Sequence, residues 1–150
     1  MNSQTDSNVL LQKEVALDSI DNLAKDIISF LPNSAIVLLE GNLAAGKTTL
    51  VKSIVKALGL SSEDATSPTF SLQQSYGDKI FHYDFYRVDF DEVANLGLIE
   101  EFEKEGLHFL EWPNEKLVNL LKEAGFNIYL ITIDAKEEDK REYILEVINA

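Results

Sequence analysis

One run of this chain, Gly41-Asn42-Leu43-Ala44-Ala45-Gly46-Lys47-Thr48-Thr49, has the residue types and spacing of a loop built to hold phosphate. Gly41 permits a sharp exit from a strand, and Gly46 lets the main chain approach a ligand, so that successive N–H groups turn inward as an anion nest. Lys47 supplies a mobile cation for the β and γ oxygens of a nucleotide, and the Thr48 hydroxyl is a hard oxygen donor suited to Mg2+. Such chemistry also needs an acid at the end of a strand beside the loop. Leu107-His108-Phe109-Leu110-Glu111 and Ile80-Phe81-His82-Tyr83-Asp84 both end a mostly apolar run in a carboxylate. Glu111 is the stronger candidate for the metal shell or for placing an attacking water, because its strand reads as the more continuously buried. Asp84 is the second, and for each the plainer alternative is a solvated acid at a strand end.

The elements that must position these groups follow from the hydrophobic pattern. Ala35 to Leu39 is apolar without alternation, the signature of a strand covered on both faces, and it runs straight into Gly41. From Lys47 to Leu58 the positions Leu50, Ile54, Val55 and Leu58 share a helical face, with Gly59 as a C-cap. Strand, glycine-bearing loop and helix in that order are the context the motif requires. Upstream, Val9 to Val15 suits a short strand, Asp18 and Asp21 have the spacing of a capping pattern, and Pro32 closes the helix that follows. Downstream, strands near Phe70 to Tyr76 and Lys79 to Tyr86 flank Gly77-Asp78 as a hairpin. Residues 91–105 read as helical, with Gly97 and Gly106 as breaks, and Pro113 suits the first turn of a helix reaching Ala124. Strands near Ile128 to Ile133 and Tyr143 to Ile148 are joined by a charged loop at Lys136 to Lys140. The expected fold is α/β, a single P-loop NTPase domain over residues 1–150 with a polar tail over about 1–8, its mixed and mostly parallel central sheet flanked by helices.

Composition narrows the function. A chain of 150 residues with 45% hydrophobic side chains buries roughly 70% of its unfolded surface, which excludes whole-chain disorder. With no cysteine there is no thiolate metal site, no disulfide and no cysteine nucleophile. The net charge of −13 divides into 11 acids and 7 bases over residues 1–90 and 15 acids and 6 bases over 91–150. No basic stripe is left to neutralise phosphates of DNA or RNA, so direct nucleic-acid binding is not expected. No apolar run approaches the ~20 residues of a membrane span, and the polar start lacks the regions of a signal peptide. A cytoplasmic protein is the expectation.

Other residues remain open on sequence alone. Thr66-Ser67-Pro68-Thr69 is either a segment that senses the γ-phosphate or an ordinary proline turn. His82 and His108 lie in strand-like runs and read as packed or hydrogen-bonded histidines rather than ligands. Trp112 is either core or a border of the nucleotide. Only two arginines, Arg87 and Arg141, are available, too few for the charged-substrate grip of a small-metabolite kinase. No N-K-x-D stretch reads guanine, which favours ATP. A compact hydrolase or nucleotide-dependent assembly switch acting through another protein is what these residues leave.

The order of motifs resembles the TsaE (YjeE) family. The resemblance is carried by Gly41 to Thr49, Ser67-Pro68-Thr69-Phe70, His82-Tyr83-Asp84-Phe85-Tyr86-Arg87, Leu96-Gly97-Leu98-Ile99-Glu100-Glu101 and Leu110-Glu111-Trp112-Pro113. It implies an ATPase accessory to threonylcarbamoyladenosine modification at adenosine 37 of tRNA. Its partners would be TsaD and TsaB, its cofactors ATP and Mg2+, and tRNA would be met only through the partners. Thr48 and Glu111 carry over as metal ligands, Asp84 and Trp112 as functional positions, and Thr69 as part of the switch-like segment. Ala44 departs from the glycine usual there, and its Cβ narrows the loop's backbone options.

Overall fold

The computed structural model describes residues 8–41, 46–61, 65–66, 72–86, 88–89, 91, 97–137 and 139–149. Its strands are β1 (Val9–Ala16), β2 (Ala35–Glu40), β3 (Ala65–Thr66), β4 (Gln73–Tyr76), β5 (Ile80–Asp84), β6 (Leu107–Glu111), β7 (Ile128–Glu137) and β8 (Lys140–Asn149). Its helices are α1 (Ile20–Phe30), α2 (Lys47–Ala57), α3 (Leu98–Glu101) and α4 (Glu115–Glu123), which we number in chain order. The strands form one eight-stranded sheet in the order β1-β8-β7-β2-β6-β5-β4-β3. The central four, β7-β2-β6-β5, run parallel, and both wings are antiparallel.

The unbroken apolar character of β2 has the expected cause. Val37 and Leu39 point into a core with Leu23 and Ile27 of α1 and Leu50 and Ile54 of α2. Ile36 and Leu38 point the other way, to Leu98 of α3 and Leu117 and Leu121 of α4. A central parallel strand therefore has no polar face to show. The parallel register pairs Leu39 with Glu111 and Glu111 with Asp84, so the strand ends carrying the two candidate acids meet at one edge of the sheet.

Helix termini depart most from expectation. Asp18 lies in a 3-10 turn, Leu17–Ser19, and α1 starts from Ser19 with no side-chain cap; Asp21 instead accepts a hydrogen bond from Lys56 Nζ of α2 at 2.8 Å. Pro113 precedes α4 rather than opening it, because Asn114 Oδ1 accepts the Leu117 N–H at 2.8 Å and so sets the first turn. Of the helical stretch expected over 91–105, α3 begins just after the break expected at Gly97 but is only four residues long, and Phe102 to Gly106 are turns and bends. Leu58 is exposed, the cap of α2 rather than part of its buried face. Gly59 behaves as expected, since its N–H reaches Lys56 O and that of Leu60 reaches Val55 O, both at 3.0 Å, closing a Schellman motif. The charged loop at Lys136 to Lys140 is mostly strand, with Glu137 paired to Lys140 across a tight turn. The hairpin at Gly77-Asp78 is present with shorter strands, Tyr76 pairing with Ile80. Phe70 and Ser71 lie outside the described residues.

Gly106, which leads into β6, is fixed by close approach. At φ 139° a Cβ there would lie 2.2 Å from the Lys79 carbonyl oxygen, the same oxygen that accepts the Leu107 N–H at 2.9 Å. Gly106→Ala must push β5 and β6 apart or break that bond. We expect a loss of about 3 kcal/mol in urea unfolding, whereas Gly125→Ala, with open space around its Cβ, loses only the strain of its positive φ.

Candidate nucleotide-binding site

The site is assembled at the C-terminal edge of the parallel strands. β2 ends at Glu40, just before Gly41, and α2 begins after Gly46, whose φ of 95° is left-handed. A Cβ at Gly46 would touch nothing within 4 Å, so backbone conformation rather than space demands the glycine. Asn42, Leu43, Ala44 and Ala45 lie outside the described residues, as do Thr69 and Arg87.

Lys47, in the first turn of α2, is almost fully buried at 4% exposure. Its Nζ donates to the Gly41 carbonyl oxygen at 2.5 Å and lies 3.7 Å from the centre of the Trp112 ring. A buried cation needs such partners, and the π face and carbonyl supply them. Burial pushes the Lys47 ammonium below its ordinary range, and the charges of Glu111 and Asp84 partly restore it.

Thr48, one residue on, is exposed, and its Oγ1 donates to Glu111 Oε2 at 2.8 Å. Glu111 is 5% exposed. Burial pushes its carboxyl up, but hydrogen bonds from His82 and Thr48 and the charge of Lys47 together hold it below the usual range. Thr49 is exposed on the same turn. Trp112 takes φ 57°, unusual for a residue with a Cβ, and this turn after β6 sets its ring over Lys47 and against Tyr86, centroids 5.1 Å apart. Trp112 thus borders the site rather than filling the core. Together with Gly41, Pro113, Val118, Lys122 and Leu130 it also lines a cavity of about 570 Å3.

Lys47, Thr48, Glu111 and Trp112 therefore converge as the sequence suggests. Asp84 reaches the same edge through its register with Glu111 but is exposed, and its Oδ1 accepts the Tyr86 N–H at 3.0 Å. His82, read from the sequence as a packed or hydrogen-bonded histidine, has a place in the site that the sequence did not assign to it. It is hydrogen-bonded, as expected of a strand histidine, but its partner is Glu111 Oε2. The signal was its spacing from Asp84: i and i+2 on a strand share a face, and the parallel register puts Glu111 on that face too. His108 fulfils the plainer reading, its Nε2 donating to Lys104 O at 2.8 Å and its Nδ1 accepting from Tyr83 OH at 2.9 Å.

Parallel strands that deliver a glycine-flanked loop, a buried lysine and a hydroxyl–carboxylate pair to one edge define an α/β domain of the P-loop class. The comparisons with known proteins give the family. The model for "Threonylcarbamoyl adenosine biosynthesis protein TsaE" matches residues 15–143, and the chain belongs to that family, which is involved in threonylcarbamoyladenosine biosynthesis of tRNA. Its relatives include the tRNA threonylcarbamoyladenosine biosynthesis protein TsaE of Bacillus subtilis, 36% identical over 124 residues, 75% of this chain and 77% of the relative. That of Aquifex aeolicus is 42% identical over 110 residues, 68% and 77% of the two chains. That of Rickettsia bellii is 34% identical over 145 residues, 94% and 92%. Among solved structures, YdiB of Bacillus subtilis superposes with a TM-score of 0.68 at 26% identity, covering 94% of this chain and 88% of its own.

The pH dependence of stability follows from Glu111. Its folded value lies below 4.5, so its ionised form adds stability that is present above about pH 4.5 and is lost as pH falls through the folded value. We expect Glu111→Gln to be less stable than the parent by about 1 kcal/mol at pH 7 in urea unfolding. The gap should close below pH 4.5.

Proposed function

We propose that this chain is a Mg2+-dependent ATPase that supports threonylcarbamoyladenosine modification at adenosine 37 of tRNA. In this reading it works on TsaD and TsaB in the cytoplasm and meets tRNA only through them. The observation that carries the reading is the Thr48 Oγ1 to Glu111 Oε2 bond of 2.8 Å beside a buried Lys47. Two hard oxygen groups held together at the start of a helix are the donor set that Mg2+ takes in nucleotide sites. When bound, Mg2+ would neutralise charge on the phosphate oxygens.

The protein groups have separate tasks. Lys47 exchanges the Gly41 carbonyl and the Trp112 ring for phosphate oxygens, the amides of the Gly41 to Thr49 loop hold the phosphates, and α2 adds its positive dipole end. Thr48 and Glu111 hold the metal, and Asp84 orients water or transmits the nucleotide state. The acidic surface fits a protein that leaves tRNA contact to its partners. Among the described residues no helix is long and apolar enough to cross a membrane.

A second reading, a nucleotide-dependent assembly switch in which hydrolysis is not required, is favoured by one contact. Trp112 joins Lys47 to the exposed Tyr86, so withdrawal of the cation alone alters an aromatic pair at the surface.

Removal of the Lys47 cation should weaken ATP binding by about 10- to 100-fold, the value of a charge-assisted hydrogen bond or two. Lys47→Ala should also abolish tRNA modification in a reconstituted reaction with TsaD and TsaB; full ATP binding and full modification would overturn the assignment. Glu111→Ala separates the two readings, since modification that survives the loss of hydrolysis makes the protein a switch.

A further inference from the structure

We propose that His82 is a positioning residue for the metal site: its ring, anchored on β5, fixes the Glu111 carboxylate so that Glu111 and Thr48 together present oxygen to the cation. The proposal rests on the reading of Thr48 and Glu111 as metal ligands and adds a residue to it.

Three elements meet at one oxygen. Glu111 on β6 offers Oε2, Thr48 on α2 donates to it at 2.8 Å, and His82 Nε2 on β5 contacts the same atom. A carboxylate only accepts, so Nε2 carries the proton and His82 is the donor. The terminal torsion of a glutamate is broad, and one hydroxyl that itself rotates leaves it soft. A second donor on a rigid ring removes that freedom. The ring is itself well held, with its side chain 11% exposed and that of Glu111 6% exposed. Its place on the face shared with Asp84 and Glu111 follows from the β5–β6 register.

The arrangement has the form of outer-shell support for a ligating carboxylate, whose removal typically costs 10- to 100-fold in metal affinity. The division of labour between the two donors is unequal. Coordination through a Thr48 lone pair would leave its O–H free to donate but would tie its direction to the cation, whereas the His82 donor, anchored on β5, holds Glu111 independently of the cation.

The test measures binding rather than turnover. ATP affinity is determined by calorimetry with excess Mg2+ and again in EDTA, and the ratio of the two reports the metal's contribution. His82→Phe keeps a ring of similar size without the donor, and we expect it to lower the ratio about tenfold or more while leaving the affinity in EDTA unchanged. His82→Gln, whose amide reaches as far as Nε2, should recover the ratio to within about threefold of the parent. If the Phe ring disturbs folding, judged by circular dichroism, His82→Asn serves instead: its amide falls one methylene short and should lower the ratio likewise. Thr48→Ala is run beside them. A parental ratio in His82→Phe or His82→Asn alongside a collapsed ratio in Thr48→Ala overturns the role of His82 and leaves the metal reading standing. A parental ratio in Thr48→Ala overturns the metal reading itself. An equal loss of affinity in Mg2+ and in EDTA for the His82 variants also overturns the proposal, since the ring then acts on the fold alone.

Discussion

A hydroxyl on the first turn of α2 meets a carboxylate at the end of β6, and nearly everything else in the fold serves to make that meeting exact in register. Thr48 is placed by β2, which ends at Glu40 just before Gly41 and leads to α2; Glu111 is placed by β6, the parallel neighbour of β2, with Leu39 opposite it. Side chains alternate along a strand, so a slip of one residue in β6 would send Glu111 into the apolar core beneath α3 and α4 and bring Leu110 to the site. The cost of burying that carboxylate among Leu38, Leu117 and Leu121 is far larger than any gain from a shifted ladder. The register is therefore enforced from both faces.

The electrostatics of the site run against those of the surface. The chain as a whole carries −13, yet its candidate phosphate site holds a nearly fully buried lysine. Burial disfavours the ammonium, and local partners oppose that cost, among them a carbonyl at 2.5 Å, an indole face at 3.7 Å, and the charges of Glu111 and Asp84. None of these partners is a bidentate ion pair. The cation is held by groups that a phosphate oxygen can replace, because an anion at the same place offers more Coulomb energy than a carbonyl dipole in the same low-dielectric setting. The left-handed backbone at Trp112 is the strained element that makes this possible, since it bends the chain after β6 and brings the ring across to α2.

What the sequence made legible and what it hid have physical reasons. β2 and β6 were readable because burial on both faces leaves a continuous apolar run, and the loop motif was readable because its glycines and lysine answer to geometry rather than to neighbours. Helix starts were less readable: Asp18 and Asp21 have capping spacing, but the 3-10 turn and the bond to Lys56 won, and Asn114 took the cap that Pro113 suggested. Each is a choice among nearby polar partners worth about 1 kcal/mol, below what spacing alone resolves. The long hairpin of β7 and β8 was shortened for a similar reason, because its outer residues are charged; on an exposed antiparallel ribbon, Lys136 and Glu142 pair at 3.4 Å and charge does not end the strand. Asp84 was located at the right edge without its turn contact, and His82 was visible only once the β5–β6 register was known.

That register is held by a second polar cluster on the reverse of the same two strands. Tyr83 follows His82, and His108 precedes Phe109, so alternation turns both away from the site. There Tyr83 OH donates to His108 Nδ1 at 2.9 Å, His108 Nε2 donates to the Lys104 carbonyl at 2.8 Å, and Gln73 reaches Glu101 at 3.0 Å. Burial pushes the Tyr83 hydroxyl up, so it stays a donor, and pushes His108 down, so its ring stays neutral and keeps one donating and one accepting nitrogen. The two requirements interlock: a charged His108 could not accept from Tyr83, and an ionised Tyr83 could not donate. The cluster spans β4, β5, β6 and α3, and its buried polar atoms are satisfied in the pairing of β5 with β6 that sets Asp84 beside Glu111. Apolar packing on that face tolerates small displacements, but a buried hydrogen-bonded network does not. Precision at the site is thus supplied from the far side of the sheet, by polar residues on the face opposite Glu111.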